Sequence, residues 1–450
     1  MERFDNLTLN QLMRKEGFNC DCSRHHSVSC QYLAIERGAI RRLPEALKAV
    51  GGTRPFIVCD GNTYKAAGER ACAILKEAGI EYSLYTIKEH GFEKVEPDEY
   101  SLGCIAMHFD KRCDAVVAVG GGVINDLCKV FSYDCGLPQI ILGTAPSMDG
   151  FASNSSSMVV DGVKSTLYNR TPSGIVLDTE IMAQAPMRML WAGFGDMIAK
   201  YISVCEWRIS HIVTGEYYCP HVAQLMRNAL KKITDHAEGL AQRDPDSVQA
   251  VAEGLVLSGF AMSFAQVSRP ASGLEHYFSH MWDMVALERG VMSDLHGIQV
   301  GVGTVLTMDI YDDIKRLVPD REKALSHMRA FDPAAWEANI RRIFGKTAPQ
   351  VLAIEQAAGK NDPVKHAARL EKILANWDEI LKIISEELPD KEWLFDKMRL
   401  LKMPMRPADI GISEQDTRDA FLSTRDIRDK YLSSSLLWDL GVIEEFADKL

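Results

Sequence analysis

The chain has 450 residues, enough for two domains or for one large α/β body with a helical partner. Its 46% hydrophobic and 25% charged residues are ordinary for a globular protein, and a net charge of −11 argues against general nucleic-acid binding while leaving room for an anionic substrate held by a few local cations. No run comes near the roughly 20 apolar residues of a membrane helix, the acidic start Met1-Glu2-Arg3-Phe4-Asp5 lacks a signal peptide's apolar core, and 11 cysteines read as reduced thiols, so a cytoplasmic protein with no membrane partner is expected.

The first chemistry-bearing stretch is Cys20-Asp21-Cys22-Ser23-Arg24-His25-His26, with Cys30 beyond it. These are zinc-ligand types, yet no second C-x-x-C pair completes a structural site, so the favoured reading is an N-terminal segment with scattered thiols. Phe56-Ile57-Val58-Cys59 predicts a strand that ends at Asp60-Gly61, and apolar residues at helical spacing predict a helix over 64–78. A strand over 82–87 and a charged segment follow. Residues 115–119 predict another strand, which turns through Gly120-Gly121-Gly122-Val123-Ile124-Asn125-Asp126 into the helical pattern Leu127-Cys128-Lys129-Val130-Phe131. Glycines in such a turn let the backbone approach a ligand, and a helix N-terminus offers N–H groups to a phosphate; a plain tight turn is the other reading. The full G-x-G-x-x-G fingerprint and the P-loop are both absent, and Asp60, the kind of residue that binds a ribose hydroxyl, precedes the turn instead of following it.

The next strand, 139–142, ends in Gly143-Thr144-Ala145-Pro146-Ser147. Residues 151–171, rich in Ser, Asn and Gly, predict a long loop or hairpin over the sheet edge, and 175–178 the last strand. Alternating strands and helices predict a parallel sheet covered on both faces, whose ligands sit at the carboxyl ends of the strands, where Asp60, the glycine turn and the 144–147 loop fall. From Thr179 helical spacing dominates, which places a boundary near residue 180 between an α/β domain, 1–180, and an all-helical domain, 181–450. The segment from about 320 onward is charged and amphipathic and carries no catalytic signature.

Metal-ligand types recur in the second part. Asp196 lies in Gly193-Phe194-Gly195-Asp196, where small residues let another segment come close. His276 and His280 share a helix face by their i, i+4 spacing, and His296 follows. One carboxylate with two imidazoles suits zinc, nickel or iron and leaves a position open for substrate, although histidines in helices also serve as ordinary hydrogen-bonded residues. Asp149 before Gly150 suits a turn, or a substrate ligand if a cleft lies near Thr144. Cys128 and Lys129 are expected to pack and to solvate, and Met182, Met187 and Met189 to pack.

Taken in order, Gly120-Gly121-Gly122-x-x-Asn125-Asp126-x-x-Lys129, Thr144-Ala145-Pro146-Ser147-Met148-Asp149-Gly150, Gly193-Phe194-Gly195-Asp196, Arg269-Pro270-Ala271-Ser272-Gly273-x-Glu275-His276-x-x-Ser279-His280 and His296-Gly297-x-x-Val300-Gly301 resemble sn-glycerol-1-phosphate dehydrogenases, most of all their bacterial branch. That family sits in the superfamily of glycerol dehydrogenase, iron-containing alcohol dehydrogenases and dehydroquinate synthase, and the resemblance runs from about residue 55 to 305. It implies a dehydroquinate-synthase-like fold, a dinucleotide-binding α/β domain followed by a helical domain that binds metal and substrate. Asp196, His276 and His296 match the metal ligands, nickel or zinc. Asp60, Gly120, Gly121, Gly122, Val123, Ile124, Asn125, Asp126, Thr144, Ser147 and Ser153 match dinucleotide contacts. Asp149, His280 and Asp196 match substrate contacts, and the proton relay runs through His280 or through metal-bound water, alternatives that the sequence leaves open.

The implied reaction interconverts dihydroxyacetone phosphate and sn-glycerol 1-phosphate with NAD(H), with NADP as the other cofactor and phospholipid synthesis as the context. A homodimer is implied by the family. Lys164 and Arg269 are candidates for the substrate phosphate. Glycerol dehydrogenase, or another alcohol dehydrogenase of the same fold, is the alternative, and a non-catalytic nucleotide sensor is the alternative of a different class. Asp196 at the first ligand position, where the synthases carry Glu, favours a dehydrogenase.

Overall fold

In the computed structural model, which describes residues 3–91, 94–161 and 163–450, the β-branched runs of the first part pair into one sheet. Met1 and Glu2 of the acidic start, and Gly162 of the Ser/Asn/Gly-rich stretch, lie outside the described residues. The strands, in chain order, are β1 (Phe18–Asn19), β2 (His25–His26), β3 (Tyr32–Glu36), β4 (Pro55–Asp60), β5 (Ser83–Ile87), β6 (Ala115–Gly120), β7 (Gln139–Gly143), β8 (Ser155–Val160), β9 (Val163–Tyr168) and β10 (Gly174–Asp178).

Six of them form a parallel sheet in the order β3-β10-β7-β6-β4-β5. The central strands β6, β7 and β10 are buried at every position, as a parallel strand covered on both faces must be, whereas β3 and β5 at the edges are mostly half-exposed. The edge strand β3 was not expected; it is short, and only its Ala34 is fully buried. The pairing order reverses between β4 and β6, since the chain leaves β4 outward to β5 and returns through β6 to β7. Asp60 therefore stands at the carboxyl end of β4 and Gly120 at that of β6, on either side of the point where such sheets bind ligands.

Under one face, Leu43, Leu47, Ala71 and Leu75 pack against Ile57, Val117, Leu142 and Val176, all fully buried. Each leucine, isoleucine or valine among them contributes about 1.5–3 kcal/mol of burial free energy. The helix expected over 64–78 forms, but it starts at Gly61 under an Asp60 cap and passes through a π-helical turn, Tyr64–Gly68, before Glu69–Glu77. The segment 151–171 forms the β8–β9 hairpin, which packs on helix Gly122–Asp134: the Ser156 hydroxyl donates to the Asp126 carbonyl (3.1 Å) and the Ser157 N–H to the Asp126 carboxylate (3.1 Å).

By its contacts the chain divides into two compact units, Met1–Met197 with Cys219–Ser268, and Ile198–Tyr218 with Arg269–Leu450. The sheet ends at Asp178, close to the residue-180 boundary, but the first unit also takes helices Met187–Ile198, Pro220–Asp235 and Pro245–Ala265. Gly259 explains the last of these: a Cβ there would lie 2.6 Å from the Ala152 side chain, so only glycine lets this helix lie so close to the 149–152 turn. The same helix corrects the expectation about apolar runs. Pro245–Ala265 is long and apolar enough to cross a membrane, but it is mostly buried inside the fold, as the core helix of a globular unit would be.

The second unit is helical. Leu274–Arg289 packs along His296–Ile314. Gly303 makes the approach close, since a Cβ there would meet the Glu275 carbonyl at 2.5 Å. The charged segment after 320 is a set of packed helices tied by buried pairs, Arg369 with Asp439 (2.7 Å) among them.

Candidate active site

In the first unit the parallel strands bring Asp60, the glycine turn and the 144–147 loop to one edge of the sheet. Asp60 is the N-cap of its helix; Oδ1 accepts the N–H groups of Asn62 (2.8 Å) and Thr63 (2.7 Å). Gly120 must be glycine because a Cβ would lie 2.7 Å from Ile124. Beyond it, helix Gly122–Asp134 begins with no side-chain cap, so its first N–H groups point outward as a ready anion site. Opposite lie Ser147 and Met148, whose side chains a Cβ on Gly121 or Gly122 would meet at 3.7 and 3.1 Å. The Thr144 N–H donates to the Gly120 carbonyl (3.1 Å), which fixes the second loop against the turn.

The rest of the motif faces inward. Val123 is partly exposed and Ile124 buried. Asn125, fully buried, donates its amide to the Gly150 carbonyl (3.1 Å) and accepts from the Gln139 amide (2.9 Å). Lys129, expected to solvate, is instead fully buried: its ammonium pairs with Asp126 (2.9 Å) and donates to the Gly150 carbonyl (3.1 Å), Ser153 Oγ (3.2 Å) and the Ser155 carbonyl. A helix-facing cation with carbonyl and hydroxyl acceptors on every side clamps the 150–155 turn, and with it Ser153. Cys128 packs as expected, and burial pushes its thiol up.

Asp196, on helix Met187–Ile198, is fully buried. Its Oδ2 accepts the Asp149 N–H (2.8 Å), while the Asp149 carboxylate accepts the Ser258 hydroxyl (2.8 Å), so the two aspartates sit together. The small residues before Asp196 do what the sequence suggested: a Cβ on Gly193 would lie 1.8 Å from the Pro146 carbonyl oxygen.

In the second unit, three imidazoles gather. The rings of His276 and His296 lie 5.3 Å apart between centroids, and His280 stacks on His296 at 6.0 Å. One donor nitrogen of His276 lies within 4.8 Å of one of His296. His276 Nδ1 meets Glu275 Oε1 at 2.8 Å, and the same oxygen accepts the Gly273 N–H (2.8 Å). Because a carboxylate only accepts, Nδ1 carries the hydrogen and Nε2 the lone pair, the tautomer of a metal ligand held by a carboxylate. His296 Nδ1 meets Ser279 Oγ at 3.1 Å.

Behind these residues lies a buried carboxylate that sequence reasoning missed. Glu206 accepts the N–H groups of Leu274 (2.9 Å) and Ser433 (2.8 Å), and burial, with Glu275 close by, pushes it up to about 7. Arg269, one of the two phosphate candidates, is held by protein partners. It is buried, with Nε on Glu216 (2.8 Å) and Nη2 on Ser210 Oγ (3.0 Å) and the Tyr431 carbonyl (2.7 Å). Lys164 lies on β9. Beside the 269–272 turn lie Lys200, whose Nζ donates to the Ala271 carbonyl (3.1 Å), and Lys430, whose Nζ is 3.4 Å from the Ser272 carbonyl. Their signal in sequence is slight: each is a lone lysine in a helix or a charged run.

Comparison with known proteins adds the following. The family model described as iron-containing alcohol dehydrogenase matches residues 34–186. A protein of Halalkalibacterium halodurans named glycerol-1-phosphate dehydrogenase (NAD(P)+) is 38% identical over 304 residues, 67% of this chain and 76% of that one. One of the same name from Bacillus subtilis is 30% identical over 365 residues, 80% of this chain and 92% of that one. Among solved structures, glycerol dehydrogenase from Schizosaccharomyces pombe aligns with a TM-score of 0.63 at 15% identity, covering 95% of this chain and 92% of that one. Sulfoacetaldehyde reductase from Bifidobacterium kashiwanohense in complex with NAD+ aligns at 0.59 and 14%, covering 94% and 99%. At such identities the structures are similar in fold alone.

Proposed function

The chain belongs to the glycerol-1-phosphate dehydrogenase family, and on that premise we propose that it interconverts dihydroxyacetone phosphate and sn-glycerol 1-phosphate with NAD(H), using one divalent ion, nickel or zinc, held by Asp196, His276 and His296. The observation that carries the metal assignment is the Glu275 carboxylate on His276 Nδ1 (2.8 Å), which in the neutral ring leaves the lone pair on Nε2. As ligand types, one carboxylate and two imidazoles suit a borderline cation and would leave a coordination position for a substrate oxygen. When bound, the ion supplies Lewis-acid stabilisation to the oxygen on the reacting carbon.

The rest is the work of side chains and backbone. The uncapped start of helix Gly122–Asp134 binds the cofactor diphosphate, with Gly120, Gly121, Gly122, Val123 and Ile124 lining the approach and Asn125, Asp126 and Ser153 bracing it. Thr144 and Ser147 line the opposite loop. Asp60 takes the ribose hydroxyls and repels a 2′-phosphate, which favours NAD. Asp149 and His280 orient the substrate, and His280 holds or moves the proton at the C2 oxygen; the cofactor, when bound, would supply or take the hydride. In this reading residues 1–180 serve the dinucleotide and lend Asp149 to the substrate, and residues 181–450 supply the metal ligands and the other substrate contacts. A cytoplasmic homodimer that supplies glycerol 1-phosphate to phospholipid synthesis, with no nucleic-acid or membrane partner, completes the reading.

Metal content and turnover of His276→Ala test the assignment. Loss of one equivalent of bound ion together with loss of turnover is expected. Wild-type turnover in a preparation without bound ion would overturn it.

A further inference from the structure

The cysteine cluster near the N-terminus gains a fourth member that local spacing could not show. β1 and β2 pair as a two-residue hairpin, Phe18 opposite His26, whose turn carries Cys20 and Cys22 and bends through Ser23 at φ +66°. The hairpin lays these residues against Cys219, the residue that begins helix Pro220–Asp235, 193 positions beyond His26. Sγ of Cys20, Cys22 and Cys219 and one ring nitrogen of His26 all lie within 4.8 Å of one another.

The distances match a tetrahedron. Cys20 Sγ and Cys219 Sγ are 3.8 Å apart, and His26 Nε2 is 3.2 Å from Cys22 Sγ and 3.7 Å from Cys219 Sγ. A zinc ion with bonds of about 2.3 Å to sulfur and about 2.0 Å to nitrogen requires S···S edges of about 3.8 Å and S···N edges of about 3.5 Å. A disulfide would bring two sulfurs to about 2.05 Å. His26 is oriented as a ligand is: its buried ring donates from Nδ1 to the Phe264 carbonyl (2.7 Å), which leaves the Nε2 lone pair facing the thiols. A second donor set, Cys20, Asp21 and His221, shares one sulfur, but its carboxylate is exposed and it offers a single thiol. Cys30 stands apart, its thiol on the Tyr32 carbonyl.

We propose that Cys20, Cys22, His26 and Cys219 bind a zinc ion. Four protein ligands close the coordination sphere, so the site is structural and separate from any catalytic ion. Its effect is to staple the N-terminal hairpin to the start of helix Pro220–Asp235. The aromatic cluster beneath, in which Phe4 lies 5.1 Å from the His26 ring and 5.3 Å from Phe264, depends on that attachment. Binding converts the three thiols to thiolates and releases their protons.

Cobalt substitution of the full-length protein tests this directly, because a sulfur-to-cobalt charge-transfer band in the near ultraviolet reports thiolate ligands, which Asp196, His276 and His296 cannot provide. The band is expected in the wild type and in His276→Ala, and lost in Cys22→Ser and Cys219→Ser together with one equivalent of zinc in the native metal. Absence of the band from the wild type, or its survival in both serine variants, would overturn the proposal. Should the serine variants fail to fold, wild-type zinc protein titrated with an organomercurial is expected to release one zinc to a chromogenic chelator once the thiols are capped. No release, or a Cys20–Cys219 disulfide found by mass spectrometry of the unreduced protein, contradicts it.

Discussion

Gly193→Ala is the substitution whose outcome the geometry determines most sharply. In an exposed helix interior this change favours the helix by about 1 kcal/mol. Here the new Cβ would stand 1.8 Å from the Pro146 carbonyl oxygen, where ordinary contact begins near 3.4 Å. Both partners are backbone-borne, so no side chain can swing aside, and helix Met187–Ile198 and the 144–147 loop must part by roughly 1.5 Å. Overpacking of this kind costs about 1–3 kcal/mol. Three residues on, Asp196 then loses the N–H of Asp149, now at 2.8 Å, and a bond to a buried carboxylate contributes about 1.5–3 kcal/mol. With the helix gain subtracted, a total loss of about 1.5–5 kcal/mol is expected in urea unfolding. Under the proposed role of Asp196 as a metal ligand, a displacement of this size also predicts a fall in kcat/KM of about 100-fold at saturating metal. Unchanged or raised stability with kcat/KM within about threefold of wild type would refute the close approach and its coupling to Asp196.

Lys129→Met removes a buried cation from Asp126 and from the acceptors of the 150–155 turn, at a cost of about 3–5 kcal/mol; a lower melting temperature and a raised KM for NADH are expected, and a wild-type melting temperature would show that the clamp contributes nothing. Glu206 gives a pH signature. Burial raises it from 4.5 to about 7, so the metal-free folded protein keeps a proton that the unfolded chain gives up. Stability is then fully present below about pH 4.5 and is lost as pH rises through 7, by about 3 kcal/mol in all. In Glu206→Gln the urea midpoint should change less between pH 5 and 8 than in the metal-free wild type; equal slopes would remove Glu206 as the cause.

The parts of the fold that could be read in the chain are those where one physical demand dominates. β6, β7 and β10 are buried on both faces, so their sequences are uninterrupted apolar runs with glycine or aspartate at the end. β3 escaped because an edge strand needs only one buried residue in five. His276 and His280 were legible from spacing, and the glycines before Asp196 from composition. Lys129 was not, since a lysine on an amphipathic helix looks solvated until the loop that covers it is in place. Cys219 could not be joined to Cys20, Cys22 and His26, because only the packing of helix Pro220–Asp235 brings a residue 193 positions away to the hairpin. The long apolar helix Pro245–Ala265 shows the converse, for its composition serves burial in the first unit.

The proposed activity is a metal-dependent reduction of a phosphorylated ketone. NADH oxidation by the full-length protein, loaded in turn with nickel and zinc and given dihydroxyacetone phosphate or dihydroxyacetone, tests it most directly when the product is resolved by chirality. Metal-dependent turnover of the phosphate ester, yielding sn-glycerol 1-phosphate and far exceeding that of the unphosphorylated ketone, is the predicted result. Preference for dihydroxyacetone, or no turnover of either by protein with bound metal, would contradict it.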